Sequence, residues 1–194
     1  MLSLEGKSSP WGKIQYVSPV IPGIHAVSTV GHGGLKLDRK YNALIPESLR
    51  AEGGWYEEDC EWSIPYVILS EYIIKESDPL QAQSVSKKII SAHKTWKMYN
   101  YRSYEAYFGV ILQPGESASK DEAIWKHTNK NEYQVVYVFG DWHVKVPSGM
   151  VALQCRIGGH SGSLREKWFL VPASCYTGGH FLPELSYHRE ISSL

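Results

Sequence analysis

Hydrophobic and polar positions alternate along the C-terminal third of the chain, as they do in half-buried β-strands. Between Val151 and Ile157 every second residue is apolar, so Cys155 faces one side of the strand and Arg156 faces the other. We expect Cys155 to lie in the core as an inert thiol. Turns rich in glycine and proline separate these runs, which predicts an antiparallel meander with strands at residues 133–139, 143–146, 150–157 and 167–171.

Helical spacing appears in the middle of the chain, where apolar residues recur at Val85, Ile89, Ala92 and Trp96. Asp78 followed by Pro79 is typical of a helix start, because aspartate can cap the first turn and proline fits the first helical position. The pattern predicts a helix over residues 79–97. The aromatic segment that follows, residues 99–108, predicts a loop and a short helix that ends at Gly109 and packs against the long helix.

The N-terminal half carries weaker patterns. Apolar and β-branched residues at 13–17 and 24–30 flank a turn rich in proline and glycine, which predicts two short strands. Residues 38–49 favour a short helix that is broken by a proline. Ser119, with Glu122 three residues later, is typical of the start of another short helix.

These elements predict an α+β fold, with an antiparallel β-sheet packed against one long helix and several short helices. The sheet is expected to come mainly from the C-terminal third, with a contribution from the N-terminal strands, and to pack on the helix at 79–97. A chain of 194 residues that is 43% apolar can bury a substantial core. We therefore expect a single domain over residues 1–194, with 113–120 as the best candidate for a weak boundary.

The charge balance narrows the function. Twenty basic and twenty acidic residues give a formal net charge of zero, so the chain lacks the basic excess of a typical nucleic-acid binder. We expect no extended nucleic-acid binding. The apolar run at 64–74 is too short to span a bilayer, and residues 1–13 lack the pattern of a secretory signal. A cytoplasmic protein without a membrane role is therefore expected.

Three widely spaced cysteines, Cys60, Cys155 and Cys175, argue against a disulfide framework and against a zinc ribbon. Three histidines instead stand beside paired glycines, at His32, His160 and His180. If these loops meet at one end of a sheet, their amides could bind an anion and their imidazoles could supply acid–base groups. The spacing matches no short metal motif, so no metal and no cofactor are predicted.

The most reactive residue types are concentrated in one region. The loop Gly31-His32-Gly33-Gly34 precedes, by about twenty residues, an acidic aromatic cluster at 53–62 that reads GGWYEEDCEW. Glycines leave backbone amides bare, so Gly31, Gly33 and Gly34 are candidate ligand-binding residues. The acids at 57–59 have two interpretations: they could begin a following helix, where carboxylates complement the helix dipole, or they could serve a site.

An enzyme and a binding protein are both compatible with these residues. In a small hydrolase or transferase, His32 would act as general base with Glu58 or Asp59 as its partner. Cys60 is disfavoured as a nucleophile because neighbouring acids raise a thiol pKa. In a binding protein, Trp55 and Tyr56 would anchor a partner and Glu57 would pair with its basic residues, while His160 and His180 could join a ligand site. The ligand could also be a small nucleotide-like anion.

A family resemblance adds to this picture. The string at residues 31–37, the following Asn42 and Pro46, and the cluster at 53–62 together resemble the signature of an uncharacterised domain family in phages, plasmids and proteobacterial genomes. Elements that follow the signature in such proteins are similar to residues 104–106, 168–173 and Tyr176.

The resemblance implies a phage or mobile-element accessory protein that works in the host cytoplasm. Such a protein is expected to be a non-enzymatic inhibitor of a host factor or defence system. It would bind a host protein or protein complex, or sequester a small anionic ligand. The resemblance supplies no catalytic residues, and the hydrolase or transferase interpretation stays open beside it, as do the partner and the oligomeric state.

Overall fold

A computed structural model describes residues 4–160, 165–178, 180–184 and 189–194. The chain divides into two compact units, Met1–Lys120 and Asp121–Leu194. The division falls at the end of the segment that the sequence marked as a weak boundary. The expected α+β class is confirmed, whereas the single domain stays a prediction. Among the described residues, none of the helices has the length and apolar character needed to cross a membrane.

The first unit contains a four-stranded antiparallel sheet and a small two-stranded ribbon. The four strands follow one another in sheet order, with β3 pairing with β4, β4 with β5, and β5 with β6. Strand bounds are β1 (Ser8–Ser9), β2 (Gly12–Lys13), β3 (Tyr16–Ile21), β4 (Ile24–Ser28), β5 (Gly33–Leu37) and β6 (Trp55–Glu57). The predicted N-terminal hairpin is confirmed, but its first strand is shifted: β3 runs through Pro19 to Ile21 instead of covering residues 13–17. Gly33 and Gly34 were expected in a loop but belong to β5, where Leu35 and Leu37 face the core.

Five helices complete the first unit, together with short 3-10 turns. Their bounds are α1 (Arg39–Asn42), α2 (Ser63–Ile68), α3 (Ser70–Glu76), α4 (Ala82–Tyr99) and α5 (Tyr101–Phe108). The predicted long helix is confirmed, because a 3-10 turn at Pro79–Gln81 leads directly into α4 and Asp78 caps that turn. The predicted short helix after it is also confirmed, since α5 ends at Gly109 in a left-handed conformation.

The core of the first unit lies between the sheet and these helices. Trp96 on α4 is 1% exposed, and its ring contacts Tyr104, Tyr107 and Phe108 of α5. This is the packing predicted for the aromatic segment. The buried residues around it come from β3 to β6 and from α1 to α5. Burial of these aromatic and aliphatic side chains stabilises the unit.

Two predicted helix starts were wrong. The acids at 57–59 do not begin a helix: Glu57 ends β6, a turn follows, and α2 begins only at Ser63 with no acid in its first turn. The helix expected from Ser119 is α6 (Ala118–Thr128), and its cap is Ser117, whose Oγ accepts a hydrogen bond from Lys120 N at 3.3 Å. The better-placed hydroxyl takes the capping role.

The second unit carries its own antiparallel sheet, in the order β10-β9-β8-β7, so the prediction of one sheet shared by both ends of the chain was wrong for the described residues. Its strands are β7 (Tyr133–Phe139), β8 (Met150–Ile157), β9 (Glu166–Pro172) and β10 (Arg189–Ile191). Three predicted strands are confirmed, but residues 143–146 form turns. Cys155 is fully buried, and burial raises the pKa of its thiol to about 12, as an inert core cysteine requires.

Candidate functional site

His32 lies at the tip of the connection between β4 and β5. Thr29 closes this loop: its backbone N–H donates to the His32 carbonyl at 2.7 Å, and its hydroxyl accepts from His32 N at 3.2 Å. The imidazole points outward, with 61% of the side chain exposed. The loop backbone is therefore held in place while most of the imidazole is exposed to solvent.

Pairing between β5 and β6 carries the acidic segment to this histidine. Gly34 is the register partner of Glu57, and Glu58 N donates to the carbonyl of Gly33 at 3.1 Å. A Cβ at Gly34 would lie 2.2 Å from the carbonyl oxygen of Tyr56 and 2.5 Å from the ring of Trp11. Close strand packing thus requires a glycine at this position, independently of any ligand.

Glu57 is held by hydrogen bonds from its own turn. One carboxylate oxygen, Oε2, accepts from Asp59 N at 2.6 Å, and the Glu57 amide donates to Glu61 Oε2 at 3.2 Å. The other oxygen, Oε1, is buried and is the only buried side-chain nitrogen or oxygen of the described residues without a hydrogen-bond partner. The Nδ1 atom of His32 lies 3.8 Å from Oε1, beyond hydrogen-bonding distance.

Glu58 completes a group with His32 and Glu57. A Cβ added at Gly33 would lie 2.6 Å from Glu58 Oε2, so this carboxylate sits directly over the glycine. One ligand-type atom from each of His32, Glu57 and Glu58 lies within 4.8 Å of the other two. Two carboxylates were expected to partner His32. Glu58 lies beside it, Asp59 is outside the group, and Glu57 has a carboxylate oxygen 3.8 Å from the imidazole.

A cleft of about 250 Å³ adjoins this group and shares Glu58 with it. Its walls come from β4, β5, the turn before α2, α2 itself and α4, and the lining residues are Ala26, Val27, Gly34, Leu35, Glu58, Trp62, Tyr66 and Lys88. The ammonium group of Lys88 lies 4.0 Å from the centre of the Trp62 ring, which packs edge-on against Tyr66 at 5.5 Å. The cleft therefore combines a cation, an aromatic wall and a carboxylate.

Lys88 and Tyr66 were not among the residues predicted for a site, and Trp62 appeared only within the signature. Lys88 comes from α4, whose sequence pattern identifies the buried face but gives no indication of what its polar face meets. Burial raises the pKa of the Tyr66 hydroxyl, so this group is a neutral donor at physiological pH.

Cys60 is not suited to nucleophilic attack. Partial burial raises the pKa of its thiol, and the carboxylates of Glu61, Glu57 and Asp59 raise it further. At neutral pH the thiolate is therefore scarce, which agrees with the expectation from the sequence.

The two aromatic residues proposed as docking anchors are engaged inside the protein. Tyr56 is 1% exposed; its hydroxyl donates to Asn42 Oδ1 at 2.7 Å and accepts from Ala51 N at 3.2 Å. Trp55 is half-buried against Trp11 and under the ammonium group of Lys36 at 4.8 Å. Both side chains act as structural residues in this conformation rather than as surface anchors.

His160 and His180 belong to the second unit and are not members of the group around His32. The ring of His180 stacks on Trp125 with a centroid distance of 4.8 Å. The neighbouring loop residues Ser161–Ser163 and Gly179 lie outside the described residues. A shared site of the three histidine loops stays a prediction.

A larger cleft, of about 670 Å³, lies elsewhere in the first unit and contains none of the predicted site residues. It is lined by apolar residues of β3, such as Val17 and Val20, by His25 of β4, by Glu76 at the end of α3 and by Asp78 in the segment that follows. We assign the candidate site to the smaller cleft, because it joins the carboxylate of Glu58 to the ammonium group of Lys88, whereas no lysine or arginine lines the larger cleft.

Comparison with known proteins identifies a family but does not indicate an activity. No curated protein and no solved structure matches the chain. A family model matches residues 4–130, which is more than half of the chain and includes His32, Glu57, Glu58 and the whole lining of the smaller cleft. This confirms the predicted membership in an uncharacterised family: the chain belongs to the family described as Domain of unknown function (DUF7007).

Proposed function

We propose that this chain is a non-enzymatic binding protein that captures a small anionic, nucleotide-like ligand in the cleft beside Glu58. The observation that carries the proposal is the position of Lys88, whose ammonium group stands at the aromatic wall formed by Trp62 and Tyr66. No carboxylate of the described residues lies within 4.0 Å of this ammonium group, so its charge is available to a ligand. Lysine is a common point-charge binder of phosphate.

The remaining lining defines the rest of the ligand. Trp62 and Tyr66 offer an apolar surface for a planar ring. Aromatic side chains stack on any type of nucleic-acid base. Glu58 can accept hydrogen bonds from base N–H groups or sugar hydroxyls. Drug-sized pockets enclose about 300–1,000 Å³. The volume of about 250 Å³ therefore suits a ligand no larger than a mononucleotide.

The biological setting comes from the resemblance alone. A phage or mobile-element accessory protein in the host cytoplasm could block a host factor or defence system by sequestering such a ligand. A host protein or protein complex is the other partner expected there. We favour the small ligand, because the docking anchor Tyr56 is buried and the half-buried Trp55 packs against Trp11.

Calorimetric titration with AMP, GMP, CMP and UMP tests the proposal. We expect at least one mononucleotide to bind, and Lys88→Ala to weaken its binding by roughly 10- to 100-fold, because hydrogen bonds to charged groups contribute about 1.5–3 kcal/mol. Lys87→Ala is the matched control: it removes the same charge from the same helix, at a position that does not line the cleft. Equal losses in both variants, or no binding to the wild type, would contradict the proposal.

The pair of His32 and Glu57 favours a second candidate, a small hydrolase or transferase with His32 as general base. The carboxylate beside the imidazole would then be Glu57 or Glu58 rather than Asp59. Chromatography of the titrated nucleotides separates the two candidates. An unchanged nucleotide supports binding without turnover, whereas a product that disappears in His32→Ala supports the enzyme.

A further inference from the structure

We propose that His32, Glu57 and Glu58 bind one divalent metal ion beside the cleft. The sequence spacing matched no short metal motif, because His32 lies in the loop before β5 whereas Glu57 and Glu58 lie at the end of β6 and just after it. Pairing of β5 with β6 brings them together. Metal binding by this group goes beyond the proposed function and does not require the anionic ligand.

The distances between the three side chains are close to those of a metal site. The three ligand-type atoms already lie within 4.8 Å of one another. A metal ion with bonds of about 2.0–2.2 Å needs its ligands somewhat closer together. The exposed His32 and Glu58 side chains can make that adjustment by rotation, because the hydrogen bonds to Thr29 and Gly33 hold only their backbones.

An unsatisfied oxygen of Glu57 also indicates a cation at this site. A buried carboxylate oxygen without a hydrogen-bond donor costs free energy, and most native proteins leave very few such atoms. Glu57 Oε1 is the sole example among the described side chains, and it faces His32 rather than solvent. A cation bound between Glu57 Oε1 and His32 Nδ1 would supply the missing partner of Oε1. It would thereby satisfy the one buried side-chain oxygen of the described residues that has no hydrogen bond.

The donor set indicates the class of metal. Carboxylates favour hard ions such as Mn²⁺, whereas an imidazole favours Zn²⁺ and its neighbours in the first transition row. One imidazole with two carboxylates therefore suits Mn²⁺ or Zn²⁺ better than Ca²⁺, which takes six to eight oxygen ligands. Three protein ligands leave open coordination positions, as in catalytic zinc sites. A contact between this ion and the anionic group of a ligand in the cleft would rest on the proposed function.

Titration of the chelator-treated full chain with Mn²⁺, followed by the electron paramagnetic resonance of the free ion, tests the site. We expect one Mn²⁺ per chain, displaced by Zn²⁺ but not by an equal concentration of Ca²⁺. His32→Ala, Glu57→Gln and Glu58→Gln should each weaken binding by about tenfold or more. Asp59→Asn is the matched control, since this acid is in the same turn but outside the group; its Mn²⁺ affinity should equal that of the wild type.

Circular dichroism of each variant shows whether it is folded. If Glu57→Gln does not fold, Glu58→Gln still tests the site, because Glu58 is exposed and its replacement should not disturb the fold. No saturable Mn²⁺ binding by the wild type would overturn the proposal, as would equal losses in Asp59→Asn and the ligand variants. Titration without any nucleotide separates this proposal from the proposed function, because saturable Mn²⁺ binding would stand even if no mononucleotide binds.

Discussion

The chemistry of the site around His32 depends on a few atoms of Thr29, His32 and Glu57. The loop carbonyl and amide of this residue are fixed by Thr29, while its ring is exposed, and one buried oxygen of Glu57 lacks a hydrogen-bond partner beside it. The sequence predicts that Cys155 is buried, because alternation specifies the face of a strand. The sequence does not predict that Tyr56 is buried, since its neighbours are acids and its environment depends on pairing with β5.

At the residue scale, we predict that Gly33→Ala destabilises the first unit. The new Cβ would lie 2.6 Å from Glu58 Oε2 and 2.9 Å from the carbonyl oxygen of Val27, and the backbone atom cannot move away. Overpacking of this kind costs about 1–3 kcal/mol. Urea unfolding would measure the change. Gly31→Ala is the control, because no atom lies within 4 Å of its added Cβ, and a similar loss in both variants would refute the prediction.

At the element scale, long periodic segments were predicted well and short ones poorly. The α4 helix was found from its apolar spacing and from Asp78, whereas β5 was missed because Gly33 and Gly34 resemble a loop although they lie in a strand. Glycine is compatible with both a loop and a strand. Pairing of this segment with both β4 and β6 makes it a strand. The cleft lysine was missed for a related reason, since its location depends on how α4 packs.

We predict that Asp78→Ala lowers the free energy of unfolding by about 1 kcal/mol. The Asp78 carboxylate accepts a hydrogen bond from Leu80 N at 2.9 Å and thereby caps the turn that leads into α4. Thermal unfolding of the two variants Asp78→Ala and Asp78→Asn would measure the effect. Asparagine caps equally well, so Asp78→Asn should unfold close to the wild-type temperature. Equal destabilisation by both changes would show that the capping interaction is not the cause.

At the scale of the whole molecule, the chain has two compact units with separate hydrophobic clusters. The family match spans residues 4–130 and the complete candidate site lies in that part. The pattern of apolar and polar positions correctly predicted the α+β class, since it distinguishes strand alternation from helical spacing. Its division into two sheets was not predictable, because strand patterns do not specify which strands become neighbours.

The most direct test of the account is a nuclear magnetic resonance titration of the full chain with the mononucleotide that binds most tightly. Each of the seven tryptophans has its own indole N–H signal, which can be assigned by Trp→Phe substitution. We predict that the Trp62 signal shifts with saturation, while the exposed Trp142 of the second unit does not respond. Saturating shifts at Trp142 with an unchanged Trp62 signal would place the ligand elsewhere and contradict the assignment of the cleft.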